Sequence, residues 1–263
     1  MSKIHPTAVI EEGAQIGNNV TIGPFVTISS QTIIGDDNVI DAHAIIAGRT
    51  TIGNGNHIFS HAVVGSIPQD LKFNGEDVEL IIGDNNKIRE FTLLNPGTEG
   101  GGAITKIGNN NLLMGYVHLG HDVIMGDNCI LANGATLAGH VVLGNNVVVG
   151  GLTPIHQFVH IGDFAMIAGA SALSQDIPPF CMAEGNRATL RGLNLTGLRR
   201  HLERDEINAL RSAYRELFES GQALQESAEK ILAESDSQNV KNLVTFITKS
   251  KRGIPFIRKN ING

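Results

Sequence analysis

The chain has 263 residues with a formal net charge of −6, 31 glycines, two tyrosines, two cysteines and no tryptophan. A chain of this length can bury a core without crosslinks, and Cys129 and Cys181 are too few for a disulfide framework. Its acidic balance supplies no basic field for nucleic acid, no apolar run reaches the ~20 residues of a membrane span, and no secretory leader opens the sequence. A cytoplasmic protein with no membrane span and no nucleic-acid partner is therefore expected.

Aliphatic residues recur every six positions, from Ile4, Ile10, Ile16, Ile22 and Ile28 without a miss to Val64. The step resumes at Ile82, Ile88 and Leu94, then runs from Ile107 through Leu113, Leu119, Met125 and Leu131 to Leu173. A helix repeats at about 3.6 residues and a simple strand at about 2, so a period of six predicts short strands joined by tight turns, the hexapeptide form of a parallel β-helix. This ladder resembles the left-handed β-helix of hexapeptide-repeat acyltransferases, in which three hexads make one triangular coil. The resemblance implies that residues 18 apart sit one above the other.

Two stretches break the ladder. GSIPQDLKFNGEDVELI, 65–81, puts Asp70 and Glu76 where aliphatics are due, and NPGTEGGGAITK, 95–106, shifts the phase by one residue. Two excursion loops, about 66–81 and 95–106, are expected, and insertions in a solenoid tend to carry function on one side. QDIPPF, 175–180, reads as the exit, because proline removes ladder donors. The β-helix is placed at 1–190 and a C-terminal α-helical domain at 191–263. There Ile207, Leu210, Tyr214 and Leu217, then Leu224, Ala228 and Ile231, then Leu243, Val244 and Ile247 follow helical spacing. This tail carries Arg200, Arg204, Arg211, Arg215, Lys249, Lys251, Arg252 and Arg258, which serve either as solvated helix faces or as a docking surface for an acidic partner.

Histidines within the ladder avoid its two inward columns, so they point outward or into turns. Taken modulo 18, His121, Gly139 and Gln157 share one column, Asp122 and His140 the next, and His118 and His156 lie within three positions. One corner of the prism collects them. His121 is the candidate general base, because a neutral imidazole can take a proton from an attacking hydroxyl or amine. Asp122 could hold that ring in its useful tautomer, although neighbours in a strand point apart. Gly139 has no side chain to cover its N–H, which could meet a developing oxyanion. Base and donor together suit acyl transfer. The spacings H-x-x-H and H-x-x-x-H differ from the H-x-x-x-x-H of zinc-binding left-handed β-helices, so no metal is expected. There is also no phosphate-loop or dinucleotide fingerprint.

Six motifs sharpen the resemblance: IPQDLKF at 67–73, HLGHD at 118–122, LAGH at 137–140, IHQF at 155–158, QDIPPF at 175–180 and GLNLTGLRR at 192–200. Together they are similar to the UDP-N-acetylglucosamine O-acyltransferases that open lipid A biosynthesis. The resemblance implies transfer of a (R)-3-hydroxyacyl chain from acyl carrier protein to the 3-position of the UDP-sugar, without cofactor, metal or covalent intermediate. It implies His121 as base, Asp122 as its orienter and the Gly139 N–H as oxyanion donor. Gln69, Asp70, Lys72, His118, His140, His156 and Gln157 would contact substrates, Asn194 and Arg200 would hold the UDP-sugar, and Gly169 would leave room for a long acyl chain. It further implies a homotrimer with each site between two subunits, and a helical tail that meets the acidic carrier protein.

Three positions depart from the family pattern: Asn95-Pro96-Gly97-Thr98 stands for His-Arg-Gly-Thr, Thr196 for a glutamate and His201 for a second arginine. These are expected to touch the nucleotide and sugar end, and they leave the acceptor open between the 3-hydroxyl and the 3-amino analogue, which would give an amide. Rival readings are a hexapeptide transferase using acetyl- or succinyl-CoA and a non-enzymatic β-helix scaffold. The latter would show a flat repeated face instead of one titratable corner.

Overall fold

The computed structural model describes residues 1–257, so Arg258 lies outside the described residues. Two-residue strands stack into three parallel sheets, the faces of a left-handed triangular prism. The first face runs from Lys3–Ile4 to Met166–Ile167, the second from Val9–Ile10 to Pro154–Ile155 and the third from Gln15–Ile16 to His160–Ile161. Ile4 pairs with Ile22, which fixes one coil at 18 residues. The aliphatic of each hexad points inward: Ile22, Ile28, Ile34 and Ile40 are at most 2% exposed. Ile4, with no coil above it, is 48% exposed.

Most turns are closed by a residue with positive φ, and most of these are not glycine: Asn19, Phe25, Asp37, His43 and their successors lie near +60°. A left-handed L-residue costs about 1–2 kcal/mol, so each edge has to offset a repeated strain. On the edge from third to first face, Asn18, Asp36, Asn54, Asp84, Asn109, Asp127, Asn145 and Asp163 form a ladder. Each side-chain oxygen accepts the backbone N–H of the coil before it at 2.6–2.9 Å. Asparagine alternates with aspartate, so no two carboxylates are neighbours. On the edge from first to second face, Phe25, His43, His61, Phe91 and Tyr116 stack with ring centroids 4.9–5.2 Å apart. Inside, Asn38, Asn56, Asn86 and Asn111 form a second ladder of side-chain oxygens accepting the next N–H at 2.8–2.9 Å, ending on the Cys129 N–H at 2.7 Å.

Both excursions leave the edge between the second and third faces and are shorter than the sequence suggested. Re-entry occurs at Glu79–Ile82 and Ile104–Ile107, where Leu80 and Thr105 are already fully buried in the inner column. The loops proper span 66–78 and 95–103. The coil also outlasts the expected exit: Ile177 bridges Ile161, and Cys181–Glu184 pairs in parallel with Met166–Ile167 before turning back antiparallel along Thr189–Leu193. The β-structure therefore reaches Leu193 rather than 190. Irregular spacing hid this coil, since Phe180 and Cys181 fill the core instead of a sixth-position aliphatic.

Four helices follow: α1 (Leu195–Leu198), α2 (Arg204–Phe218), α3 (Leu224–Glu234) and α4 (Gln238–Lys249). Ile207, Leu210, Leu217, Ala228, Ile231, Leu243, Val244 and Ile247 form their shared apolar faces, as the spacing predicts. A strap after α4 returns to the prism. The Ser250 hydroxyl donates to Asp176 Oδ2 at 2.6 Å, Asp176 N–H donates to Gly253 O at 3.0 Å, and Arg252 Nε donates to Ser174 O at 2.9 Å. No described helix is long and apolar enough to cross a membrane.

Candidate active site

His121, His140 and His156 stand on the edge between the second and third faces, where successive coils bring their turns into register, with His118 on the strand just before. Both loops fold against that same edge. His121 Nδ1 lies 2.7 Å from Asp122 Oδ2. Neighbours in a strand could not meet this way, but Asp122 occupies the left-handed turn position, with φ of 61°, and its carboxylate swings back to the preceding side chain. A carboxylate only accepts, so the Nδ1 atom carries the proton and Nε2 keeps a free lone pair.

Asp122 is 4% exposed and fully hydrogen-bonded. Thr98 donates its N–H to Oδ1 at 2.9 Å and its hydroxyl to Oδ2 at 2.6 Å, and the Asp122 N–H donates to Thr105 Oγ1 at 2.8 Å. His140 Nδ1 is 3.7 Å from Oδ2, its ring is edge-on to His121 at 4.9 Å, and Phe158 stacks on its other face at 4.4 Å. Burial pushes His140 below the ordinary imidazole value, against the opposing charges of Asp122 and, more weakly, Asp70. Burial likewise lowers His118, against a bond from its Nδ1 to Leu93 O at 3.2 Å. Both rings are neutral at neutral pH and act as hydrogen-bonding groups rather than charges. His121, Asp122 and His140 place donor atoms within 4.8 Å of one another, as a metal centre would. Thr98 and His121 already occupy the Asp122 oxygens, however, so a metal would have to displace them.

Gly139 is buried beneath the His121 ring. A Cβ built there would lie 2.5 Å from Cε1 and 2.6 Å from Nε2. Its N–H has no acceptor among the described residues, an unusual state for a buried backbone donor. Gly139 thus lies directly against the ring of the expected base.

The remaining expected residues divide. Asp70 and Lys72 are on the first loop, where the Asp70 side chain accepts the Lys72 N–H at 3.0 Å, and Gln69 and Lys72 are exposed there. His156 and Gln157 are exposed on the histidine edge, where Arg252 Nη2 reaches within 3.4 Å of His156 Nδ1. Sequence reading had counted Arg252 only among the tail cations, because 96 residues separate it from His156. Asn194, Arg200 and Gly169 are not brought to His121. Asn194 is 7% exposed beside Phe164 at another edge, with its amide committed to the Phe164 carbonyl at 3.0 Å and its carbonyl capping α1 through Gly197 N–H at 3.1 Å. His201 packs on the Phe164 ring at 5.3 Å. Arg199, Arg204 and Arg211 line a cavity of about 410 Å³ nearby. Gly169 lies in a turn of the aromatic edge with room for a side chain, the nearest atom to an added Cβ being Gly151 O at 3.4 Å.

The departures at 95–98 lie on the second loop, against the His121 edge. Asn95 is buried and ties the two loops together, donating to Ser66 O at 3.0 Å and Ile67 O at 3.1 Å. Thr98 supports Asp122. The contact of Thr98 with Asp122 and the place of Phe158 in the site were not legible in the sequence: the inserted loop has no ladder register, and an aromatic at a turn carries no chemical signature of its own.

A family model described as UDP-N-acetylglucosamine O-acyltransferase, domain 2, matches residues 176–255, and a bacterial transferase hexapeptide model matches 1–30 and 104–139. The chain is 74% identical over 260 residues to the acyl-[acyl-carrier-protein]–UDP-N-acetylglucosamine O-acyltransferase of Sulfurovum sp. (strain NBC37-1), covering 99% of this chain and 100% of that protein. It superposes on the UDP-N-acetylglucosamine acyltransferase structure from Campylobacter jejuni with a TM-score of 0.94 at 52% identity, covering 97% and 100% of the two chains. The enzyme of that name from Arabidopsis superposes with a TM-score of 0.85 at 38% identity over 96% and 99%.

Proposed function

This chain belongs to the UDP-N-acetylglucosamine O-acyltransferase family, transferring an acyl group from acyl carrier protein to UDP-N-acetylglucosamine, and from that premise we propose how its histidine edge performs the transfer. His121 Nε2 takes the proton of the sugar 3-hydroxyl as that oxygen attacks the thioester carbonyl. Asp122 holds the Nδ1 proton and stabilises the imidazolium that forms. The carbonyl oxygen becomes an oxyanion facing the unpaired Gly139 N–H. Collapse of the tetrahedral species breaks the C–S bond, and the departing thiolate receives the proton from His121. The product is an ester and a free carrier-protein thiol. The single observation that carries this reading is the contact of 2.7 Å between His121 and a buried, fully hydrogen-bonded Asp122, with Gly139, whose N–H has no partner among the described residues, packed against the His121 ring.

His118, His140, His156, Gln157, Gln69, Asp70 and Lys72 surround that centre and contact the substrates. The acyl chain is a (R)-3-hydroxyacyl group, and the open space at Gly169 suits a long one. The reaction opens lipid A biosynthesis in the cytoplasm, without metal or cofactor. One chain keeps Asn194, Arg200 and their neighbouring arginines at a different edge from His121, so a single subunit does not gather both halves of the expected site. A homotrimer in which a neighbour's arginine edge faces this chain's histidine edge would complete it. The arginine-lined cavity and α2 then offer cations to the acidic carrier protein.

The experiment offers the purified protein 3-hydroxyacyl carrier protein or the matching CoA thioester, with equal UDP-N-acetylglucosamine and its 3-amino analogue, and reads products by mass spectrometry. Acylated UDP-sugar from the carrier protein alone is expected. Turnover with CoA thioesters in preference would overturn the donor assignment. The ester-to-amide ratio decides the acceptor atom.

A further inference from the structure

We infer that Thr98 is a positioning residue for the reaction, and that the 95–103 loop exists to hold the Asp122 carboxylate under His121. This rests on the reading of His121 as the general base. Asp122 sits at a left-handed turn on an edge of the prism, a place where a side chain would ordinarily be free to swing into solvent. It is nonetheless 4% exposed, because the loop closes over it. Thr98 grips both oxygens, with its N–H on Oδ1 at 2.9 Å and its hydroxyl on Oδ2 at 2.6 Å. Oδ2 is the same oxygen that receives the His121 Nδ1 proton at 2.7 Å. Thr98, Asp122 and His121 therefore form a continuous hydrogen-bonded line ending at the reactive Nε2.

A second observation at the same loop points the same way. Gly101 passes so close to the carboxylate that an added Cβ would lie 2.0 Å from Asp122 Cγ and within 2.3 Å of both oxygens. The loop is shaped around this one group. Thr98 itself is 8% exposed, so it does not reach for substrate, and its role runs through Asp122.

Donation from Thr98 to Oδ2 withdraws charge from the oxygen that faces His121 and fixes the direction of its lone pairs. Removing the hydroxyl leaves a more basic and less constrained carboxylate. The imidazolium is then stabilised too strongly, so the low-pH limb of kcat against pH moves to higher pH, and the ring loses its fixed aim.

The test compares Thr98→Val, which keeps shape and removes the hydroxyl, with Thr98→Ser, which restores it. Thr98→Val is expected to lower kcat about tenfold or more, leave KM for the UDP-sugar within about twofold and shift the low-pH limb upward, while Thr98→Ser recovers most of the rate. Gly101→Ala is a second variant acting on the same carboxylate, and it is expected to lower kcat without raising KM. Melting temperatures of all variants are measured alongside. An unchanged pH limb in Thr98→Val, or a loss that Thr98→Ser does not repair, would overturn the inference. A His121→Ala enzyme that keeps full activity would instead sink the reading on which it rests, so the two failures are distinguishable.

Discussion

Gly139→Ala is the substitution that most directly separates geometry from folding. The added methyl would lie 2.5 Å from Cε1 and 2.6 Å from Nε2 of His121. Reaching van der Waals contact of about 3.5 Å requires the ring to retreat by about 1 Å. The bond to Asp122, now 2.7 Å, then stretches to where it no longer counts as a hydrogen bond. A displacement of about 1 Å at a reacting group costs on the order of 10² in rate. The backbone at residue 139 is outside the left-handed region, so alanine fits its conformation and the fold is little affected. The expected result is kcat lower by about 10²-fold or more, with a melting temperature within a few degrees of the parent. Steady-state kinetics with acyl carrier protein and UDP-N-acetylglucosamine, beside a thermal melt, reads both. Gly100→Ala is the control, since an added Cβ there meets nothing within 4 Å, and it should behave as the parent does. A Gly139→Ala enzyme with parental kcat would refute the placement of His121 over this donor.

Two further outcomes follow from burial. His118 and His140 are both held below the ordinary value of 6.5, chiefly by desolvation, so near that pH the folded chain binds fewer protons than the unfolded one. Stability therefore rises with pH up to about 6.5 and is lost as pH falls through that value toward the depressed folded values. A His118→Gln, His140→Gln double variant should show a smaller drop in melting temperature between about pH 7 and about pH 5.5 than the parent, and an equal drop would count against the burial argument. In the inner ladder, Asn86 Nδ2 donates to Gly108 O at 2.9 Å and its side-chain oxygen accepts the Asn111 N–H at 2.9 Å. Asn86→Ala leaves the buried Asn111 N–H unpaired, at about 1–3 kcal/mol, and the half-buried Gly108 carbonyl without its partner at a smaller cost. Denaturant unfolding should show that loss without a change in the strand pattern by circular dichroism.

The β-helix was legible because its signal is strictly periodic: a triangular coil demands one inward aliphatic per face, and that demand repeats at each sixth residue. The histidine edge was legible for the same reason, since residues 18 apart stack wherever the register is unbroken, as His118 over Thr136 shows. Legibility ended where the register did. Thr98 sits in an insertion, so no count of six or 18 could bring it to Asp122, although the two are 24 residues apart and in direct contact. Arg252 reaches His156 only through a strap that follows four helices. The His121–Asp122 contact depended on a positive φ that the sequence did not announce, because aspartate, histidine and phenylalanine all occupy that turn position in this chain. The last coil was missed because Phe180 and Cys181 fill the core where the hexad aliphatic should have been.

The central claim is that the histidine edge carries the chemistry, and the most direct measurement is the single-turnover rate of His121→Ala beside the parent. Both would be given saturating 3-hydroxyacyl carrier protein and UDP-N-acetylglucosamine. The account predicts a fall of about 10²–10⁴-fold in the acyl-transfer step with both substrates still bound. A His121→Ala enzyme that transfers the acyl group at the parental rate would contradict it.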